Sequence, residues 1–289
     1  MWERGILEVD VPILSQAANT DPNLEPMACQ DPNGELRYLH TSPEFAMKRL
    51  LAAGSGDIYF LGKAFRGGES GRFHNPEFTL LEFYRIGLSY RDLMAEVANL
   101  VEIALEDRVL AIREISYRDA FRDALRINPH TATVAELAVA GGERGLSLDT
   151  LQRDQWLDLL MATTVCSRFP TNAITLIYDY PASQAALAEI DPRGGVALRF
   201  EAYVGALELA NGYQELTDGQ ELTARLDSDK RCLLDQGQAP RPIDQRLIAA
   251  QCAGLPSCSG VAIGVDRLLM LATRAAHIDA VLAFPWARA

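Results

Sequence analysis

Two apolar-rich runs, residues 58–66 and 77–85, bracket a polar, glycine-rich loop at residues 67–75. Runs of that kind across a glycine loop predict a long antiparallel hairpin. Near the other end, Gly260-Val261-Ala262-Ile263-Gly264-Val265-Asp266-Arg267 sets two glycines, an acid and an arginine ahead of an apolar run, residues 268–271. That order predicts a glycine-pinched strand feeding a helix, with Arg267 at the junction. Glycines let a flat ligand or a phosphate chain come close to the backbone, and an arginine there offers a planar donor fork for phosphate. A plain strand-to-helix turn with a local Asp266–Arg267 ion pair accounts for the same residues.

The rest of the chain alternates strand and helix patterns. Residues 5–14 (GILEVDVPIL) alternate like a strand and are interrupted by Pro12, and residues 15–40, rich in Pro, Asn, Asp and Gly, read as loops. Ser42 as N-cap and Pro43 as first helical residue predict a helix through Ala52. Helical periodicity covers residues 90–105, and further helices are predicted over 116–160. Residues 174–178 read as a strand ended by Pro181. Residues 199–215 are strand-rich, with turns expected at Gly205 and Gly212, and residues 216–250 hold a charged helix and a Pro-rich turn. With no repeat, low-complexity tract or linker, the pattern predicts one α+β domain over residues 1–289, built on a mostly antiparallel sheet flanked by helices.

Three segments carry chemistry. The hairpin loop gathers Arg66, Arg72 and His74 among glycines, which suits a polyphosphate and equally a solvated hairpin tip. Period-2 alternation puts Glu82 and Tyr84 on one strand face, where an acid and a phenol can hold an ammonium group; an edge strand with one wet face reads the same way. Glu201, Glu208 and Glu215 form a carboxylate set. With residues 204 and 205 at a hairpin tip, Glu201 and Glu208 would face each other, a destabilising arrangement unless a cation such as Mg²⁺ lies between them.

Composition narrows the function classes. A net charge of −12 argues against broad binding to nucleic acid or anionic membrane. The cysteines number five and are scattered, with no CxxC or Cys/His metal spacing, so buried thiols in a reducing cytoplasm are expected. There is no GxxxxGK[ST] loop, no GxGxxG and no GxSxG. Four histidines argue against a histidine-based metal site, and His277 lies in a helical stretch. Ser183 and Gln184 after Pro181 suit either a pocket wall or a helix cap.

In this order the segments resemble the catalytic core of a class II aminoacyl-tRNA synthetase of lysyl type, with motif 1 at residues 5–14, motif 2 at 65–85 and motif 3 at 260–271. The resemblance is narrower still to the elongation factor P–(R)-β-lysine ligases, shortened relatives of lysyl-tRNA synthetases. It is carried by Thr41-Ser42-Pro43-Glu44, Met47-Lys48-Arg49-Leu50, His74-Asn75-Pro76-Glu77-Phe78-Thr79, Tyr180-Pro181-Ala182-Ser183-Gln184-Ala185, Glu208-Leu209-Ala210-Asn211-Gly212, Pro242-Ile243-Asp244-Gln245 and Cys258-Ser259-Gly260-Val261-Ala262.

The resemblance implies ATP and Mg²⁺ as cofactors, a homodimer, and no tRNA, since there is no room for an anticodon-binding domain. Arg66 and Arg267 would bind phosphates and Glu208 would be catalytic. The ATP site would comprise Arg66, Gly67, Gly68, Glu69, Asn75, Glu208, Leu209, Gly264 and Arg267. Ser42, Pro43 and Glu44 would hold the substrate near its carboxylate end; Glu82, Tyr84, Asn211 and Glu215 would shape the amino-acid pocket. Glu201 and Glu208 would hold the metal. Ala262, where lysyl-tRNA synthetases usually have glycine, points to (R)-β-lysine rather than α-lysine. The implied reaction is adenylation of (R)-β-lysine and transfer to a lysine of elongation factor P. Alternatives are the same core with α-lysine or another acceptor, or an impaired paralogue acting by binding.

Two departures stand out. Motif 2 of the family usually runs Arg-Asn-Glu, and its glutamate reads the adenine amino group; here Arg66 is followed by Gly67 and Gly68, with an acid only at Glu69. Motif 1 lacks the long helix that precedes its strand, so the start reads as incomplete.

Overall fold

A computed structural model describes residues 1–106, 110–146 and 151–289. Backbone contacts divide the chain into two compact units, Met1–Ser89 with Glu215–Ala289, and Tyr90–Gln214.

The first unit opens with β1 (Leu7–Glu8), β2 (Leu14–Ser15), β3 (Ala28–Gln30), β4 (Leu36–Leu39), α1 (Glu44–Ala52), β5 (Ile58–Phe65) and β6 (Glu77–Ile86). The second unit comprises α2 (Tyr90–Ala104), β7 (Ala111–Ser116), α3 (Tyr117–Leu125), α4 (Val134–Gly142), α5 (Arg153–Leu160), β8 (Ala173–Pro181), β9 (Val196–Val204) and β10 (Leu207–Gln214). The chain then rejoins the first unit with α6 (Gly219–Asp235), α7 (Gln245–Gly254), β11 (Cys258–Gly264) and α8 (Val265–Thr273).

Sheet order in the first unit runs β1-β5-β6-β11, and β2, β4 and β3 form a separate small sheet. Strand β1 is parallel to β5, whereas β5–β6 and β6–β11 are antiparallel. In the second unit the order is β10-β9-β8-β7; β7 is parallel to β8 and the other pairs are antiparallel. The α+β, mostly antiparallel expectation is therefore met. Each unit has its own apolar core. Met47 and Leu51 of α1 pack with Ile58, Phe60, Tyr84 and Leu255 in the first; Phe121, Leu137, Trp156, Leu160 and Ile177 pack in the second.

The predicted hairpin forms, with register from Ile58 opposite Tyr84 to Phe65 opposite Glu77. Several local expectations change. Residues 15–40 carry strands, too short for periodicity to show. Residues 5–14 form only β1 before β2 begins. Helix α1 starts at Glu44 with Pro43 as its cap, and Ser42 Oγ instead accepts the Glu44 amide at 3.2 Å. Gly212 lies within β10 opposite Phe200 rather than in a turn. His277 caps a single turn of 3₁₀ helix. Only Cys166 and Cys258 are buried; Cys29, Cys232 and Cys252 are exposed.

Candidate active site

Within the first unit, the register of β6 against β11 builds a sheet floor of small residues facing an acid and a phenol. Tyr84 lies opposite Gly260, Glu82 opposite Ala262 and Leu80 opposite Gly264. Directly opposed residues share a sheet face, so the smallest side chains of β11 face the acid and the phenol of β6. At Gly260 any larger residue is excluded: a Cβ would collide with the Tyr84 ring and come within 2.5 Å of Glu215 Oε1. Strand β6 is an interior strand between β5 and β11, so Glu82 and Tyr84 do not sit on a wet edge.

Above this floor lies a buried charged cluster. Lys48, on the inner side of α1, is 2% exposed, and its Nζ is 2.7 Å from both Glu44 Oε1 and Glu215 Oε2. Burial works against the Lys48 ammonium, but Glu215 and Glu44 outweigh it and stabilise the charged form. Tyr84 donates its hydroxyl to Glu82 Oε1 at 2.7 Å, while Glu82 Oε2 is buried without a hydrogen-bond partner among the described residues. Burial pushes the Glu82 carboxyl up to about 8, and the nearby Glu44 charge adds to this. Burial also raises Glu215, against the pull of Lys48. The cluster thus carries more acid than base and one open carboxylate oxygen, which suits an incoming ammonium group.

The same unit holds both candidate phosphate-binding arginines. Arg66 donates from Nε to the Thr41 carbonyl at 3.3 Å, lies over the Phe78 ring at 5.1 Å and has Glu69 Oε1 at 3.8 Å. Arg267, on the first turn of α8, donates to the Phe73 carbonyl at 3.2 Å and meets His74 Nε2 at 2.7 Å. An arginine can only donate, so that ring nitrogen accepts. Burial and the Arg267 charge accordingly hold His74 below its ordinary range. Asp266 accepts the Thr79 amide at 2.6 Å, tying the start of α8 to β6. Asn75 donates to the Glu77 carbonyl at 2.6 Å and accepts the Trp286 amide at 2.9 Å, which anchors the segment after α8 beside the loop.

At the motif 2 departure, Gly67 donates to the Glu25 carbonyl at 2.7 Å. A Cβ on Gly68, whose φ is +73°, would come 3.3 Å from Glu25 Oε2, so the carboxylate of Glu25 lies where longer side chains at these two positions would project. Glu69 stays close to Arg66 and His74.

In the second unit the β9–β10 hairpin turns at residues 205 and 206, one position later than expected, and a bulge follows between Glu208 and Ala210. Glu208 therefore lies opposite Tyr203, and Glu201 opposite Asn211, so the two acids do not face each other. They still share a face, because Glu201 and Tyr203 are two residues apart. Glu201 is engaged on both oxygens: Arg199 contacts Oε1 at 2.5 Å and Tyr203 donates to Oε2. Arg199 also reaches Asn211 Oδ1 at 3.2 Å and stacks over Tyr180 at 4.5 Å. Leu209 is buried in the hairpin. Two carboxylates on one face suit a hard divalent cation that shares its shell with phosphate oxygens. Glu201 would have to exchange a present partner to reach it.

Comparison with known proteins places this architecture. Residues 1–288 match the profile of tRNA synthetases class II (D, K and N). The chain is 45% identical over 294 residues to the elongation factor P–(R)-β-lysine ligase of Vibrio parahaemolyticus, covering 98% of this chain and 90% of that protein. It is 46% identical over 292 residues to the protein of the same name from Yersinia pestis, covering 98% and 89%. The chain belongs to the class II tRNA synthetase family, in the group of the elongation factor P–(R)-β-lysine ligases.

Sequence reasoning gives Glu44 a role but gives none to Lys48, Glu25 or Arg199. Glu44 and Lys48 at helical i,i+4 spacing look like an ordinary solvated pair; only the burial of Lys48 against Glu215 reveals otherwise. Glu25 lies in an irregular stretch with no pattern to flag it. Arg199 reads as one more strand arginine until its contact with Glu201 is seen.

Proposed function

We propose that the chain is an ATP-dependent ligase that adenylates (R)-β-lysine and transfers it to a lysine side chain of elongation factor P. The observation that carries this reading is the cluster of buried Lys48, Glu82, Tyr84 and Glu215 with half-buried Glu44, which has an excess of carboxylate and an unpartnered acceptor oxygen in the same unit as Arg66 and Arg267. The names of the relatives agree with it.

In the first step a substrate carboxylate oxygen attacks the α-phosphorus of ATP, the bond to the bridging oxygen breaks, and pyrophosphate leaves. Arg66 and Arg267 donate to the phosphate oxygens as charge shifts onto them, and positioning plus charge stabilisation does most of the work. Ser42 and Glu44 hold the amino group near the carboxylate, and Tyr84, Glu82 and Glu215 hold the distal ammonium. Glu208 and Glu201 are the residues for Mg²⁺, which when bound would neutralise phosphate charge. In the second step the acceptor lysine nitrogen attacks the acyl carbon, AMP leaves with the C–O bond electrons, and the nitrogen loses a proton to give an amide. Asn75, Gly264 and Leu209 line the nucleotide, and Glu25 takes up the adenine-side position vacated by Gly67 and Gly68. A cytoplasmic homodimer acting without tRNA completes the proposal; among the described residues no helix is long and apolar enough to cross a membrane.

ATP–pyrophosphate exchange tests the first step. Exchange is expected with (R)-β-lysine above α-lysine, and Glu208→Gln should abolish it. Absence of exchange with every amino acid would overturn the ligase reading, and a preference for α-lysine would overturn the substrate. A mass gain on elongation factor P of one lysyl unit, dependent on ATP, tests the transfer.

A further inference from the structure

The charges buried around Glu82 do not balance in the free chain. Facing it are Glu44 and Lys48 from α1, Tyr84 from its own strand and Glu215 after β10; Phe60 of β5 and Ala262 of β11 flank it without charge. Lys48 neutralises one of three carboxylates, and it is committed to Glu44 and Glu215 at 2.7 Å each. Glu82, 3% exposed, has only the Tyr84 hydroxyl on Oε1. Its Oε2 is buried and has no hydrogen-bond partner among the described residues. An ionised carboxylate in that position would be a buried charge without a cation beside two other anions, which is strongly unfavourable.

We propose that Glu82 is a proton-exchanging residue of the amino-acid pocket, protonated in the free chain and releasing its proton to solvent when a diamino acid docks an ammonium group against its open oxygen. This rests on the reading of the cluster as the amino-acid site. The balance is simple. Counted within the cluster, a diamino acid brings two positive charges on its amino groups, its carboxylate lying outside; Glu44, Glu82 and Glu215 with Lys48 supply a net of two negative charges once Glu82 is ionised. A ligand with one amino group needs only the net single negative charge already present, and leaves the proton where it is. The upward push on Glu82 to about 8 places the exchange across the neutral range. Each ammonium group, with an ordinary pKa of about 10, arrives already charged.

Calorimetric titration of the full chain at pH 7 in phosphate and in Tris reads the proton directly. Binding of (R)-β-lysine should release about one proton, and its Kd should weaken about tenfold for each pH unit below neutrality. With Glu82→Gln the release should vanish and the pH dependence flatten. An analogue lacking the distal amine, 3-aminohexanoate, should bind without release. In the infrared, the ligand-free chain at pH 7 should show a protonated-carboxyl band that is missing in Glu82→Gln and lost on binding (R)-β-lysine.

Absence of that band in the wild type overturns the proposal whatever the ligand does. So does release that persists in Glu82→Gln, or a band that survives saturation with a diamino acid. Release seen with α-lysine but no binding of (R)-β-lysine would support the proton exchange and overturn the substrate assignment instead. If neither diamino acid binds, both fall.

Discussion

Each unit buries a carboxylate against a cation, and the two do so differently. In the second unit Glu201 is saturated: Arg199 takes one oxygen and Tyr203 the other, and Arg199 is itself stacked on Tyr180. In the first unit the acids outnumber the base, and Glu82 keeps one oxygen open. A saturated pair is rigid and resists exchange, whereas an unsaturated cluster waits for a cation. Under the proposed function, the first cluster receives a ligand that enters and leaves as an ammonium ion, and the second holds the β9–β10 hairpin until a multivalent cation competes for Glu201.

The largest expected effect comes from removing the one base of the unsaturated cluster. Lys48→Met leaves the buried Glu215 and the half-buried Glu44 without their cation and should cost ~3–5 kcal/mol in a urea unfolding curve at pH 7. The sign with pH follows from the raised carboxyls. As pH falls below 7, Glu215, pushed upward by burial, takes up a proton while Glu82 is already protonated, and the loss should shrink toward pH 5. A loss independent of pH would mean that Lys48 matters for packing and not for charge.

Glu201→Gln sharpens the other half of the contrast. It strands the Arg199 guanidinium without its anion, and should destabilise the chain by ~2–4 kcal/mol. If Glu201 also helps hold Mg²⁺, the magnesium concentration for half-maximal pyrophosphate exchange should rise about tenfold. An unchanged magnesium requirement in a chain that still folds would leave Glu201 a purely structural partner of Arg199.

How far these clusters were legible depends on how local their signals are. The hairpin of β5 and β6 and the strand-to-helix step at Gly264 follow from short-range patterns, and both formed as expected. The face shared by Glu82 and Tyr84 follows from strand alternation alone. The register of β9 against β10 did not, because the hairpin turns one position later than expected, at residues 205 and 206, and a bulge after Glu208 adds a residue that no pattern marks. Lys48 escaped for a different reason. Its partner Glu215 is distant in sequence, and burial of a lysine is a tertiary outcome that the helix period does not encode. Strands β2, β3 and β4, two to four residues each, are below the length at which alternation can be read.

The smallest effect expected is also the most selective. Ala262 lies opposite Glu82, so its methyl group borders the unsaturated cluster and not the saturated one. Ala262→Gly removes that methyl at little structural cost: Gly260 and Gly264 already flank it in β11, and glycine in a strand costs roughly 0.5–1 kcal/mol. A methyl-sized change in a pocket shifts discrimination by about tenfold or somewhat more. The variant should therefore gain exchange with α-lysine, whose amino group branches next to the carboxylate, relative to (R)-β-lysine. The magnesium requirement should not move, because the carboxylates assigned to the metal belong to β9 and β10. A shift in magnesium requirement without a shift in amino-acid preference would contradict the division of roles, whereas a change in preference alone would tie the choice of amino acid to the floor beneath Glu82.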